Sequence, residues 1–118
     1  MKKTNFLIIS LMMMLMVSCY SDKYKKIADN HFGDQHFKTA VAIIELHKIR
    51  YGEYPENLDS LKYLGDWDKD IKRSVKYKKV KDGYHLDLLK GIVSNPANIE
   101  YPADFWNNLG VKKSNIKR

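Results

Sequence analysis

The residues best suited to bind a metal or to move protons near neutral pH are the four histidines, His31, His36, His47 and His85. His36 and His47 would share one face of a helix but lie about 16 Å apart along its axis, too far apart to coordinate one ion. On a strand, His85 would point the same way as Asp87, so we expect these two side chains to form a polar pair. The histidine spacing predicts neither a metal site nor a cofactor.

Three carboxylates alternate at Asp66, Asp68 and Asp70, as they do at the start of a calcium-binding loop. Such a loop needs glycine at its sixth position and glutamate at its twelfth, where this chain has Ile71 and Tyr77. The pattern therefore excludes an EF-hand. We interpret the segment as a solvated acidic loop.

No nucleophile stands in a catalytic context. The serines occupy neither a Gly-x-Ser-x-Gly elbow nor a Ser-x-x-Lys motif, and no glycine-rich phosphate loop is present. These absences favour a protein that acts by binding and has no catalytic residues. Because triads are often assembled from distant segments, a small envelope hydrolase or metal-dependent enzyme remains the alternative.

Two tryptophans, Trp67 and Trp106, lie in polar stretches that resemble loops. Exposed tryptophans often anchor a protein partner, so both are candidate partner-binding residues. The competing interpretation is that the two rings cover the edges of a small hydrophobic core.

The single cysteine, Cys19, ends a distinctive N-terminal segment. Lys2 and Lys3 precede an apolar run from Phe6 to Val17, which is too short to span a bilayer and is typical of an export signal. The run ends in Met16-Val17-Ser18-Cys19, which resembles the lipobox of bacterial lipoproteins. The resemblance implies cleavage before Cys19 and a lipid on its sulfur. The alternative is an uncleaved anchor helix or a buried core helix.

Loss of residues 1–18 would leave 100 residues, enough for one domain, here 34–118 behind a polar tether at 19–33. The net charge would fall from +7 to +5, because 19 basic and 14 acidic residues remain. We interpret this charge as a solvated basic surface and expect no nucleic-acid partner. Tyr20 is not the aspartate that retains lipoproteins in the inner membrane of enteric bacteria. The expected location is therefore the cell envelope, with the outer membrane facing the periplasm favoured over the inner membrane.

The domain itself is predicted to be α+β. An apolar arc predicts a helix over residues 34–51, with Asp34 as N-cap and Gly52 just after its end. Tyr54-Pro55 then redirects the chain. Asn57 is expected to cap a short second helix that is closed by Gly65.

The strongest strand signal is the alternating segment from Ser74 to Leu89, with Asp82-Gly83 as a two-residue turn. That turn would place Tyr77 opposite Leu88 and Lys78 opposite Asp87, with one apolar face packed on the long helix. A short helix is expected near 101–109, followed by a basic tail at 111–118.

The segment Gly52-Glu53-Tyr54-Pro55, between an aliphatic helix and a short leucine-containing helix, resembles type II secretion pseudopilins of the major, G-like class. The resemblance covers about residues 37–89. It implies a pilin-like fold in which a long N-terminal helix packs on a small antiparallel sheet. It also keeps an irregular calcium site at Asp66–Asp70 as an alternative.

Two departures from the pseudopilin pattern affect the function. The lipobox replaces the prepilin peptidase site, so the apolar segment used for polymerisation would be lost, and the Asp-Trp-Gly signature before the sheet is missing. We therefore expect a membrane-anchored, non-enzymatic interaction module with an unknown protein partner. An immunity lipoprotein that neutralises a toxin is a further alternative.

Overall fold

A computed structural model describes residues 2–91 and 95–118, without the side chains of residues 17–22, 25, 26 and 28–30. The fold is α+β. It consists of helix α1 (Lys2–Tyr51), short helices α2 (Asp66–Lys69) and α3 (Ile71–Ser74), and strands β1 (Val75–Val80), β2 (Gly83–Leu88) and β3 (Val111–Lys113). Three 3-10 helices cover Leu58–Ser60, Pro96–Asn98 and Ala103–Trp106.

Helix α1 begins at Lys2, so the predicted start at Asp34 is wrong. Asp34 lies inside the helix, where its carboxylate accepts a hydrogen bond from Lys38 at 3.1 Å. No proline precedes Pro55, and each added helical residue contributes a backbone hydrogen bond, so the helix continues through the predicted tether at 19–33. Fifty residues at 1.5 Å each account for the 75 Å long axis of the molecule.

The predicted end of α1 is confirmed. Gly52 has a φ of 80°, and its N–H donates to the Lys48 carbonyl at 2.9 Å. Asn57 caps the next short helix as expected, with its side-chain oxygen accepting from Ser60 N at 3.1 Å. That helix stops at Ser60, however, and Gly65 is the N-cap of α2, so the predicted closure at Gly65 is wrong.

The predicted hairpin is present, but its register differs by two residues. Val75 lies opposite Leu88, and Lys76 opposite Asp87, so the expected pair of Lys78 with Asp87 is wrong. The turn residues are Lys81 and Asp82, and Asp82 takes the positive φ of 61°. A shift of two preserves the side-chain alternation, so the predicted apolar face is confirmed.

The C-terminal segment is a structural element and not only a basic tail. Strand β3 pairs with β2 in parallel, which makes the sheet mixed, with order β1-β2-β3, and corrects the predicted purely antiparallel sheet. After β2, the chain passes through the 3-10 helices and re-enters the sheet beside β2 in the same direction. Asn115 holds this return, since its side chain donates to the Leu88 carbonyl at 2.9 Å and accepts from Leu88 N at 2.8 Å.

One core joins α1 to the sheet, which confirms the predicted packing of the helix on the hairpin. Ile44 is completely buried, as are Phe37 and Ala40 on the same helix. From the sheet, Tyr84 and Leu86 are completely buried against it. One flank of α1 is contacted by the chain segment between the 3-10 helix Leu58–Ser60 and β1, which contains α2 and α3.

Candidate partner-binding surface

Trp67 lies on α2, against the flank of α1. Its ring centre is 5.2 Å from that of His36 and 6.2 Å from that of Phe32. The start of α2 is fixed by Asp68, whose carboxylate accepts from Leu64 N at 2.7 Å and from Gly65 N at 2.8 Å. These backbone donors, Leu64 first, hold the pKa of Asp68 below its ordinary value. Trp67 is thereby held in place while half of its surface remains exposed.

An apolar groove lies farther along the same flank, between the end of α1 and the segment that precedes α2. Its cavity volume is about 70 Å³, several times what one water molecule needs. Leu64 is 91% exposed beside it, although large aliphatic side chains usually lie inside a domain. The lining residues are Ile43, Leu46, His47, Arg50, Tyr51, Leu61, Lys62, Leu64 and Asp68. The groove can receive an apolar side chain without rearrangement of the core.

Trp106 does not belong to this surface, which corrects its prediction as a partner anchor. It is 92% buried, with Phe105 5.1 Å and Phe37 6.0 Å away between ring centres. Arg118 from the C-terminal segment covers the ring at 4.7 Å. Helix α1, the neighbouring Phe105 and the C-terminal segment all contact Trp106, so the competing interpretation as a core residue is correct for this tryptophan.

Glu45 forms a hydrogen-bonded cluster that sequence reasoning missed. Its Oε1 accepts from Tyr84 Oη at 2.9 Å and from Gly110 N at 2.8 Å, and its Oε2 accepts from Tyr54 Oη at 3.1 Å. Burial, reinforced by the Glu45 charge, raises the pKa of Tyr54 to about 12 and that of Tyr84 still further. One carboxylate thus ties together α1, the Tyr54-Pro55 turn, β2 and the approach to β3.

The Glu45 cluster is structural and not catalytic in geometry. The Tyr84 ring is completely buried, and its centre lies 5.0 Å from that of Tyr54. A Cβ at position 110 would collide with the Tyr54 hydroxyl, so glycine is required there. The feature of the sequence that could have predicted this cluster is Glu45 itself, a single acidic residue next to the apolar arc of α1.

His36 makes the only histidine–serine hydrogen bond among the described residues. Its Nδ1 lies 2.8 Å from Ser74 Oγ, and that hydroxyl donates to the Asp70 carbonyl at 3.0 Å. The single serine proton can go to either acceptor, and the tautomer of His36 decides whether Nδ1 donates to the serine oxygen or accepts from it. Nε2 is buried without a described partner. His36 and Ser74 thus form a part-buried polar pair beside the Trp67 ring.

The other histidines are separated from one another. His47 Nδ1 lies 3.0 Å from the Glu53 carbonyl oxygen, and His31 contacts Gln35. His85 lies between Lys78 and Lys113 on the outer face of the sheet. The expected polar pair with Asp87 does not form within the described residues, because the Asp87 carboxylate accepts from Asn115 N at 2.9 Å.

No group of three or more potential metal ligands occurs among the residues that the structure describes. Two of the three alternating aspartates are engaged elsewhere. Asp68 accepts two backbone N–H groups, and Asp70 forms an ion pair with Arg73 at 2.7 Å. The acidic segment therefore serves to start α2 and to order the chain beside it.

Cys19 lies on the helical backbone of α1, but its side chain is outside those that the structure describes. Lipid attachment at Cys19 stays a prediction. Within the described part of the chain, no helix combines the length and apolar character that crossing a membrane requires.

Comparisons with known protein families, with curated proteins and with solved structures give no significant match to this chain. The functional conclusion therefore depends on the residues themselves: the N-terminal pattern ending at Cys19, the half-exposed Trp67 and the apolar groove.

Proposed function

We propose that this protein is an envelope lipoprotein, anchored through Cys19, whose domain binds a protein partner without catalysing a reaction. The observation that carries the proposal is the sequence Met16-Val17-Ser18-Cys19 behind a charged start and a short apolar run. In a host with two membranes, Tyr20 favours the outer membrane, with the domain facing the periplasm.

The domain is proposed to have a pilin-like arrangement. Three features support this: the long helix α1, the turn at Gly52–Pro55 and the packing of the helix on the β1–β2 hairpin. The parallel strand β3 and the absence of the Asp-Trp-Gly signature are departures from that pattern. Loss of residues 1–18 would remove the segment on which pseudopilin polymerisation depends, so the proposed role is binding by a single anchored domain.

The flank of α1 supports a binding role. Trp67 is held in place by its contacts with His36 and Phe32, yet half of its surface is exposed. A rigid, partly exposed tryptophan binds at little cost in side-chain entropy, which is why such residues carry much of the energy of interfaces. Replacement of Trp67 with Ala is expected to weaken binding of the partner by about 2 kcal/mol or more, roughly 30-fold in affinity.

The partner is detectable by photo-cross-linking in cells. A photoreactive phenylalanine analogue at Lys69, exposed on α2 close to Trp67, should form a discrete adduct, while the same group at Lys76, exposed on β1, should not. Equal adduct patterns at both positions, or no adduct at either, would contradict the proposed binding surface. Unchanged partner recovery with Trp67→Ala, measured with the same cross-link placed at Lys69, would exclude Trp67 as the anchor.

A further inference from the structure

The apolar groove beside Leu64 has a definite chemical character. Leu46 and Tyr51 from α1 and Leu61 and Leu64 from the opposite side provide its apolar lining. Leu64 is held in its exposed position, because its backbone N–H donates to Asp68 at 2.7 Å. The side chain is 91% exposed and lines the edge of the groove.

The groove also carries cations without partners. Arg50 and Lys62 line it, and neither forms an ion pair with a described residue. The one carboxylate in the lining, Asp68, accepts one backbone N–H group on each oxygen and keeps its negative charge. The groove thus offers an apolar floor whose edge carries two cations without ion-pair partners and one anion, a net positive charge.

We infer that this groove binds a segment of an acidic protein partner, with one aliphatic side chain inserted beside Leu64 and carboxylates placed near Arg50 and Lys62. The inference rests on the proposed binding function and specifies the chemistry of the partner. Opposite charges at the rim would steer the two proteins together, and the buried aliphatic side chain would supply most of the affinity.

Two other occupants fit less well. A second copy of this chain would bring another basic protein, with a net charge of +5 after loss of residues 1–18, to a rim that is already positive. A lipid chain is disfavoured by distance, because Leu46 lies 27 residues beyond the proposed anchor at Cys19, about 40 Å along α1.

The probe for this test is a fluorescent peptide with two leucines flanked by glutamates, and the matched probe has lysines in place of the glutamates. The full-length protein is held in nanodiscs of zwitterionic lipid, with empty nanodiscs as the blank, and binding is followed by fluorescence anisotropy. The acidic peptide should bind at least about tenfold more tightly than the basic one, a difference of about 1.4 kcal/mol.

Three variants locate the site. Leu64→Ser and Lys62→Glu should each lower the affinity for the acidic peptide by about tenfold, and Lys62→Glu should raise the affinity for the basic peptide. Lys113→Glu makes the same charge change on β3 and should leave both affinities within about twofold. Leu64 and Lys62 are both exposed, so these changes should preserve the fold, which circular dichroism will verify.

Equal binding of the two peptides, or equal losses in Lys62→Glu and Lys113→Glu, would overturn the inference. So would a dimer in analytical ultracentrifugation that Leu64→Ser abolishes, because the occupant would then be a second copy. These outcomes are independent of the cross-link at position 69. An adduct there without peptide selectivity would keep the proposed function and reject only the acidic partner.

Discussion

Removal of the Glu45 carboxylate should be among the most destabilising changes that can be made in this domain without a large change of volume. In Glu45→Ala, the Tyr84 hydroxyl and the Gly110 N–H lose their acceptor, and both residues are buried. Each buried donor without a partner costs about 1–3 kcal/mol, so we expect a loss of about 4 kcal/mol in the free energy of unfolding. Tyr54 is only partly buried, so water can replace its lost bond. Glu45→Gln keeps an acceptor oxygen and should cost only about 1–2 kcal/mol.

The assay is urea unfolding, followed by circular dichroism and by tryptophan fluorescence. With a urea dependence of about 1.5 kcal/mol per M, Glu45→Ala should lower the midpoint by about 2–3 M. Tyr84→Phe removes one donor, and the double-mutant cycle with Glu45→Ala should give a coupling of about 1.5–3 kcal/mol. A loss below about 1 kcal/mol for Glu45→Ala, together with additive effects in the cycle, would refute the structural role of the cluster.

Two further predictions concern the same region. Gly83→Ala should lower the midpoint of urea unfolding, because the new Cβ would collide with the Gly110 carbonyl, whereas Gly91→Ala meets open space and should change it little. Equal effects of the two substitutions would show that Gly110 does not lie against Gly83 of β2. Stability should also fall as the pH rises from about 10 toward 12, because burial raises the pKa of Tyr54 and of Tyr77 to about 12 while the unfolded chain releases these protons near 10. An unfolding free energy that stays constant across this window, measured with urea at each pH, would show that the partial burial of Tyr54 and Tyr77 does not raise their pKa values.

The parts of the fold that follow local periodicity were predictable from the sequence. The apolar arc of α1 placed Ile44 in the core, and the alternation from Ser74 to Leu89 gave the hairpin and its apolar face. The register was missed because a shift of two residues leaves the same side chains on the apolar face, so the alternation alone does not choose between the two registers. The close approach of Gly83 to Gly110, 27 positions away, favours the register with Lys81 and Asp82 in the turn. Local sequence patterns cannot predict a contact over that separation.

The candidate site was only partly predictable, for the same reason. Trp67 and Trp106 have similar local surroundings in the sequence, but Trp106 is buried by a C-terminal segment that returns to the sheet, while Trp67 stays half exposed. The Glu45 cluster joins residues up to 65 positions apart. Leu64 lies just before α2, where its backbone N–H donates to Asp68, and its side chain is exposed. The leucine-containing segment by itself predicts a helix and does not indicate this exposure.

Metabolic labelling with a radioactive or clickable fatty acid tests whether Cys19 carries the lipid anchor. The wild-type protein should incorporate the label and partition into the detergent phase, whereas Cys19→Ala should remain an unlabelled precursor that migrates more slowly because residues 1–18 are retained. Normal processing and detergent partitioning of Cys19→Ala, or no label on the wild-type protein, would exclude Cys19 as the lipid-anchored residue.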